Sequence, residues 1–314
     1  MTDTIAPEKK QPTRRGTHRA ELARARKEHI GRYVAMILLP FVMVSMMITG
    51  YLAAMHSPAP PNNMPIAVAG SMQQAGEFAR AIEDADPDAV DVRVVATDAE
   101  ARDLVLAREV AGAVSLSDGN AATVYTAGAA GASQSSMVSG MLAPPQVLGQ
   151  GLALTVDDLA PLPENDTAGL AAMFMATALM LAGYMPLSIM LSNSPPELLR
   201  VRRVVPLLAG WSALIAALVW FVAGPILGAI EGNTATVLGI CWLSVFAVGS
   251  VQLFLTRILG PMAVLVGMLF LMVLGVPASN MGMSVHALPS LYATLHGFLP
   301  TAAAGESLRS VLYF

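Results

Sequence analysis

Residue types that carry out chemistry are sparse in this sequence. Lysine occurs only at positions 9, 10 and 27, so no phosphate-binding loop of the form G-x-x-x-x-G-K-[ST] is present. The chain therefore does not hydrolyse ATP by that route, and any ATPase activity would belong to a partner chain. We predict that the chain is not an enzyme.

Three aspartates form the motif that comes closest to a metal site. Asp84, Asp86 and Asp88 have the D-x-D-x-D spacing of a calcium loop, in which alternate carboxylates converge on the ion. However, Ala89 stands where that loop requires glycine, and Val95 stands where it requires a bidentate glutamate. The sequence therefore favours a solvated acidic turn over a calcium site.

The other reactive side chains lack the neighbours that chemistry requires. Asp157 and Asp158 are adjacent, so on a strand they would point to opposite faces, and a surface turn is favoured over a catalytic pair. Cys241 is the only cysteine, which excludes a disulfide within the chain. His286 and His296 have no acidic or cysteine residue beside them. We predict no catalytic, cofactor-binding or metal-binding residue, and no cofactor.

The composition is that of a membrane protein. Hydrophobic residues make up 55% of the chain and charged residues 13%, against typical values of about 45–50% and about 25%. Five runs without Lys, Arg, Asp or Glu approach or exceed the roughly 20 residues that cross a bilayer as a helix. These runs are residues 33–55, 168–191, 204–230, 234–256 and 258–276. We predict an α-helical integral membrane protein with five transmembrane helices, the last four within 168–276.

The charges around these runs predict one topology. Residues 1–32 carry nine basic and four acidic residues, whereas 57–166 carry four basic and fifteen acidic residues. Cytoplasmic flanks are rich in Lys and Arg, so the basic N-terminal segment is predicted to be cytoplasmic and 57–166 outside. The arginines of 192–203 and Arg257 then fall on the cytoplasmic side, and 277–314 falls outside. The predicted location is the cell membrane, crossed several times.

Residues 57–166 are predicted to form a small α/β domain. Short, partly β-branched runs bounded by turn residues indicate strands, and apolar residues at helical spacing indicate helices, with Asp98 as an N-cap. The predicted strands are 64–70, 90–96, 111–117, 121–127 and 152–156, and the predicted helices are 72–85, 98–110 and about 134–150, the last broken at Pro144-Pro145. The fold class is thus a helical membrane protein with a small extracytoplasmic α/β domain, in a mixed sheet, inserted between the first and second transmembrane helices.

This architecture resembles a known family of transporters. The sequence at 107–133, 162–186 and 288–314 is similar to that of ABC-2-type transporter permeases, in particular the phage-infection-protein-like subgroup of Gram-positive bacteria. The resemblance implies that Leu288–Pro300 forms a bent hairpin beside the membrane on the outside, and that Ser307–Phe314 leads into a sixth helix. Because the apolar ending at Val311–Phe314 has no terminating signal, we expect a truncated chain rather than a member that has lost this helix.

The resemblance also implies a place where a partner ATPase would act. A short cytoplasmic loop between the second and third spans could dock in a groove of the ATPase as a coupling helix. An equal alternative is that its arginines fix the topology and bind anionic lipid head groups, each contributing about 1 kcal/mol. The candidate coupling loop comprises Pro195, Pro196, Glu197, Arg200, Arg202 and Arg203.

Two functions remain open from the sequence. The first is a membrane permease subunit of an ABC-2-type exporter, which moves an amphiphilic or lipid-like substrate, is powered by a separate cytoplasmic ATP-binding subunit, and pairs with itself or a homologous permease. The second is a non-transporting membrane protein whose exterior domain binds cell-envelope partners or phage. The absence of charged residues within the spans disfavours a proton antiporter. Membrane lipids are expected partners, and nucleic acid is not.

Overall fold

The computed structural model describes residues 61–117, 121–142, 153–167, 169–193, 200–228 and 233–314, and isolated positions between 38 and 49. The chain divides into two compact units, Met1–Met46 and Met47–Phe314. In the first unit, the described positions, among them Leu38 and Phe41, are helical and exposed. The basic segment 1–32 and most of the predicted first span lie outside the described residues.

A five-stranded mixed sheet occupies the first part of the second unit. Its order is β2-β1-β3-β4-β5, with β1 parallel to β2 and β3, β3 antiparallel to β4, and β4 parallel to β5. The predicted strands and the mixed character of the sheet are confirmed. The strands are β1 (Met64–Ala69), β2 (Val90–Val95), β3 (Gly112–Leu116), β4 (Ala121–Thr126) and β5 (Ala153–Asp158). Residues 64–158 are called the α/β region below.

Three helices of the α/β region connect these strands: α1 (Met72–Ala85), α2 (Asp98–Leu106) and α3 (Ala132–Leu142). The N-cap of α2 was predicted to be Asp98, which is wrong, because the Thr97 hydroxyl accepts the hydrogen bond from the amide of Glu100 at 3.2 Å. Thr97 has the extended backbone that a cap requires, while Asp98 is already helical. Helix α2 also ends four residues before the predicted position 110.

The central strand β1 is buried on both of its faces. Met64, Ile66 and Val68 contact the apolar cluster that includes α1 and α3 residues, whereas Ala67 and Ala69 contact the cluster that includes α2 residues. This alternation follows from the two-residue period of a strand. A strand covered on both faces reads as a continuous apolar run, as this one does.

Among the described residues, three helices are long and apolar enough to cross a membrane: α4 (Ala171–Asn193), α5 (Val201–Phe221) and α6 (Thr234–Leu259). A π-helical turn at Val222–Ile226, which contains Pro225, continues α5. At about 1.5 Å per residue, the 26 residues of α6 span roughly 39 Å, more than the ~30 Å of a hydrocarbon core. These helices identify a membrane protein by length and composition.

The fifth predicted run does not form one full-length helix. Helix α6 ends at Leu259, and Gly260 then adopts a φ of 56°, which breaks the helix. The apolar helix that follows, Ala263–Leu274, consists of α7 (Ala263–Met268) and a π-helical segment (Leu269–Leu274). Its 12 residues span about 18 Å. The helix observed within the predicted span 258–276 is therefore too short to cross a bilayer.

The long helices α4, α5 and α6 pack closely together at two glycines. A Cβ added to Gly183 of α4 would lie 2.8 Å from the carbonyl oxygen of Val245 of α6, and one added to Gly249 would lie 2.5 Å from Leu208 of α5. Larger side chains at these two glycines would force the helices apart. Small residues at a helix interface permit such packing within a membrane.

The C-terminal segment folds back against the long helices. It contains two short 3₁₀ turns, Pro277–Ser279 and Val285–Ala287, followed by α8 (Ser290–His296) and α9 (Pro300–Tyr313). Residues 307–313 form the second half of α9, and that Ser307–Phe314 leads into a sixth helix stays a prediction. Ala304 and Leu308 of α9 are buried in the same apolar cluster as Ala172 and Val237, so packing against α4 and α6 holds α9 in place.

Candidate functional site at the base of the α/β region

Helix α9 carries a fully buried arginine. The side chain of Arg309 is 1% exposed, although it lies one turn from the end of the described chain. Arginine is almost never buried to this extent without a partner, because the charged form loses its hydration. The surroundings of Arg309 therefore define the most unusual polar environment in the described part of the molecule.

Glu306 is the centre of this environment. Its Oε1 accepts hydrogen bonds from Nη1 of Arg309 at 3.3 Å and from Nδ2 of Asn280 at 3.1 Å. Its Oε2 is paired with Nη2 of Arg108, which comes from the α/β region 198 residues earlier in the chain. We call Arg108, Asn280, Glu306 and Arg309 the ionic cluster.

Backbone conformation directs two members of the ionic cluster toward Glu306. Arg108, just after α2, has a φ of 61°, and Asn280 has a φ of 59°. Such values are uncommon for residues other than glycine, and asparagine tolerates them better than arginine does. The Asn280 side chain also accepts the amide hydrogen of Val285 at 2.9 Å, which fixes its orientation.

Arg108 makes two further contacts with the end of α9. Its Nη1 donates to the Ser310 hydroxyl at 2.9 Å, and its guanidinium lies 5.5 Å from the centre of the Phe314 ring. Guanidinium groups are attracted to the face of an aromatic ring at this separation. One arginine of the α/β region thus contacts three residues at the end of the C-terminal segment.

The charges of the ionic cluster are unequal. Burial lowers the pKa of Arg309, Glu306 opposes that effect, and the nearby positive charge of Arg108 adds to it. Two guanidinium groups share the single Glu306 carboxylate, so this carboxylate compensates the charge of the buried Arg309 and of the partly buried Arg108. The charge of Glu306 is therefore the critical element of the cluster.

A second polar link lies at the start of α4. The Asp166 carboxylate accepts the amide hydrogens of Leu170 and Ala171 at 2.9 and 3.0 Å, which caps the helix. It also accepts a hydrogen bond from the Tyr313 hydroxyl. Burial raises the pKa of Tyr313, and the hydrogen bond to Asp166 raises it further. The end of α9 is thus tied to the beginning of α4 as well as to the α/β region.

The C-terminal segment also contacts Asn62, just before the α/β region, and Ser133 within it. Nδ1–H of His286 donates to the carbonyl oxygen of Asn62 at 3.0 Å, and the Asn62 amide donates to the His286 carbonyl at 2.8 Å. The amide of Ser284 donates to the Ser133 hydroxyl at 3.4 Å. Chemically, this arrangement holds two parts of the chain together in one orientation. Its polar groups suit mechanical coupling better than catalysis, because neighbouring groups of the protein engage both the Glu306 and the Asp166 carboxylates. Within the ionic cluster, Nε of Arg108 alone is buried without a hydrogen-bond partner among the described residues.

The candidate coupling loop is described only in part. Pro195, Pro196 and Glu197 lie outside the described residues. The carbonyl oxygen of Arg200 accepts hydrogen bonds from the amides of Arg203 and Val204 at 2.9 and 3.0 Å. Arg202 lies with Arg203 in the first turn of α5, and all three arginines are exposed. The structure does not include them in the ionic cluster.

Three other residues singled out from the sequence contact their local structure. Asp158, at the end of β5, accepts the amide hydrogens of Gly128 and Ala160 at 2.8 and 3.2 Å. Cys241 is buried in the apolar core of the long helices. Nδ1–H of His296 donates to the carbonyl oxygen of Ala278 at 2.7 Å. These contacts give each of the three residues a role in local structure.

The chain matches no protein-family model and no curated protein.

Sequence reasoning missed the ionic cluster, although a signal for it was present. Glu306 and Arg309 are the only charged side chains in residues 277–314, apart from the two histidines, and they are spaced one helical turn apart. A paired Glu and Arg in an otherwise apolar segment favours a buried contact. The third charged member, Arg108, could not be assigned, because four arginines of 57–166 were equally available.

Proposed function

We propose that this chain is the membrane permease subunit of an ABC-2-type exporter that moves an amphiphilic or lipid-like substrate and is powered by a separate cytoplasmic ATPase chain. In this proposal the N-terminus is cytoplasmic and the chain crosses the cell membrane several times. The α/β region is extracytoplasmic and is inserted between the first and second transmembrane helices. The permease pairs with itself or with a homologous subunit.

The position of α9 is the observation that carries the proposal. One side of α9 packs against the long helices α4 and α6, and its end is ion-paired with the α/β region through Glu306 and Arg108. A shift of α4 or α6 within the membrane would therefore move the α/β region. In the proposed exporter, movement of the membrane helices must be transmitted to the extracytoplasmic region, and α9 provides this connection.

Two tryptophans support a route from the coupling loop to the other helices. The indole of Trp211, on α5, donates to the carbonyl oxygen of Ala182 on α4 at 2.8 Å. The indole of Trp242, on α6, donates to the carbonyl oxygen of Ala209 on α5 at 3.1 Å. Because α5 starts at the candidate coupling loop, force applied there would reach α4 and α6 through these bonds and the packing around them.

The exposed arginines at the start of α5 are proposed to contact the ATPase. Replacing Arg202 and Arg203 with alanine removes two exposed charges without adding a bulky group. The basic N-terminal segment still favours the same orientation in the membrane. Replacement of Arg80 and Arg93 with alanine in the α/β region is a matched control, because it removes the same charge from a part that would not contact the ATPase.

Affinity purification from membranes in mild detergent tests the proposal. We expect an ATP-binding subunit to purify with the tagged chain and with the Arg80/Arg93 control, and to be lost or strongly reduced with the Arg202/Arg203 variant. Loss of transport alone would not suffice, so both variants are first checked for equal amounts in the membrane. If no ATPase purifies with the wild-type chain from its native membrane, the exporter proposal is wrong.

The edge of the sheet favours one alternative. Strand β5 is at the end of the strand order, and most of its residues are exposed, including Val156. Edge strands can accept a further strand from another protein. A non-transporting membrane protein that binds a cell-envelope partner or a phage through this region would yield such a partner in the same purification, without an ATPase.

A further inference from the structure

Helix α6 carries two buried polar side chains on one face. Gln252 is 1% exposed and Thr256 is 8% exposed. They are four residues apart, so their side chains are neighbours on the helix surface. Within the described part of the chain, neither the Gln252 amide oxygen Oε1 nor the Thr256 hydroxyl oxygen Oγ1 has a hydrogen-bond partner.

The amide of Gln252 is held in a narrow slot between three helices. A Cβ added to Gly267 of α7 would lie only 2.4 Å from Oε1, so this glycine makes room for the amide oxygen. The ring of Tyr184 on α4 lies 3.0 Å from the same added atom. The other end of the amide, Nε2, donates to the Ser188 hydroxyl on α4 at 3.5 Å, which is at the limit of a hydrogen bond.

The hydroxyl of Tyr184 does not satisfy the Gln252 oxygen. It donates its single hydrogen to the carbonyl oxygen of Val264 at 2.7 Å. The slot therefore contains an amide oxygen that can only accept, and four residues further along α6 lies a buried threonine hydroxyl that can accept or donate. Both side chains are buried, and an unsatisfied polar group in such a position is costly. A bound group that donates hydrogen bonds would remove that cost.

We propose that Gln252 and Thr256 bind the hydroxyl-bearing, uncharged head group of an amphiphile. The acceptor at Gln252 requires a donor, which disfavours a carboxylate or a fully ionised phosphate. No Asp or Glu occurs in α4, α6 or α7, so a cationic head group would be buried there without a counter-charge. This inference rests on the proposed exporter function and specifies its substrate class as a neutral lipid-like molecule with free hydroxyl groups.

A purely structural role for Gln252 makes the opposite prediction for stability. If Gln252 served mainly to hold α6 against α4, replacing it with methionine would lower the melting temperature. If the Gln252 oxygen is a ligand-binding group, Gln252→Met removes an unsatisfied acceptor from the unliganded protein while keeping nearly the same shape. The melting temperature of the variant is then equal to that of the wild type or higher. Thr256→Val is a second variant with the same logic.

Binding is tested with the full chain in phosphatidylcholine nanodiscs, whose head groups carry no hydrogen-bond donor. The probes are 1-monododecanoylglycerol, which has two hydroxyls, and its dimethyl ether, which has none. Binding is followed through the intrinsic fluorescence of the three tryptophans. We expect saturable binding of the diol and at least about tenfold weaker binding of the ether, as loss of a hydrogen bond to a buried group implies.

The variants complete the test. Gln252→Met and Thr256→Val should weaken binding of the diol about tenfold or more and leave the melting temperature unchanged or higher. Ser250→Ala is the control, because the Ser250 hydroxyl donates to the carbonyl oxygen of Phe246 within its own helix. This variant should bind the diol as the wild type does.

Three results would overturn the inference: equal binding of diol and ether, undiminished binding of the diol by Gln252→Met, or a marked fall in its melting temperature. The binding test needs no ATPase. Diol-selective binding without any ATPase partner would refute the exporter proposal alone. An ATPase partner without diol selectivity would refute only the assignment of Gln252 and Thr256.

Discussion

Replacing Glu306 with glutamine tests whether the ionic cluster holds the α/β region to the long helices. Glutamine keeps the shape of the side chain but removes the negative charge. It also turns an NH2 group toward at least one guanidinium, which has no acceptor. Arg108 and Arg309 would then face each other without the carboxylate that both contact. We expect the variant to be destabilised.

The expected loss in the free energy of unfolding follows from how deeply the cluster is buried. Removing one partner of a buried ion pair costs about 3–5 kcal/mol, because the remaining charge is left uncompensated. Arg309 is 1% exposed, but Glu306 and Arg108 are 21% and 20% exposed, so water offsets part of the loss. We therefore expect about 3 kcal/mol. Against a typical total of about 5–15 kcal/mol, this is a large fraction of the stability.

The exposed pair of Arg93 and Glu109 supplies a matched control. Its atoms are 3.4 Å apart, but the two side chains are 57% and 60% exposed. Exposed ion pairs contribute about 0–1 kcal/mol. Glu109→Gln, the same chemical change in the same molecule, should therefore lower the free energy of unfolding by less than about 1 kcal/mol.

The assay is denaturant-induced unfolding of the full chain in mixed micelles, followed by tryptophan fluorescence. A double variant separates charge from packing. Combining Glu306→Gln with Arg309→Met removes the buried charge along with its partner, so it should be less destabilised than the two single changes together predict, by at least about 1 kcal/mol. The reasoning is refuted if Glu306→Gln is no more destabilising than Glu109→Gln.

Three further measurements test other parts of the structure. Burial raises the pKa of Tyr125 to about 12, with help from its hydrogen bond to Asp98, so its contribution is complete below about pH 10 and is lost as the pH rises toward 12. Tyr125→Phe should flatten the fall of the melting temperature over that range. Burial lowers the pKa of His286 below 6.5, so stability is complete above about pH 6.5 and falls as the pH drops through the lowered pKa. The melting temperature measured from about pH 7.5 to pH 5 should fall less for His286→Asn than for the wild type, and an equal fall would exclude this histidine as the cause. A Cβ at Gly112 would lie 2.4 Å from Val138, so Gly112→Ala should cost about 1–3 kcal/mol in chemical unfolding, and adding Val138→Ala should recover part of it.

Local elements of this protein were readable from the sequence because their causes are local. The predicted helix 72–85 is observed with the same ends, and Ser71 caps it through a hydrogen bond from the Gln74 amide. The run at 64–70 was predicted as a strand, and β1 occupies all but its last residue. In each case a cap or a turn residue beside a periodic apolar pattern fixes the element before any tertiary contact is considered.

The apolar helices show where a sequence pattern stops being sufficient. Hydropathy located α4, α5 and α6, because burial in lipid requires long uncharged segments. It could not show that α6 ends at Leu259 and that the next apolar helix, Ala263–Leu274, has only 12 residues, since glycine at position 260 is also compatible with a continuous helix. Whether a glycine in a membrane helix breaks it is decided by the helices packed around it.

Composition, periodicity and charge determined the class of protein, the order of its strands and helices along the chain, and the expected topology. Tertiary structure alone decided that β5 pairs with β4, and that Arg108 meets Glu306 across 198 positions. Contacts at such separations depend on how the layers pack and on which conformation Arg108 adopts, so no local signal specifies them. The buried side chains of Gln252 and Arg309 have the same explanation, because burial of a polar group is a property of its surroundings and not of its neighbours in sequence.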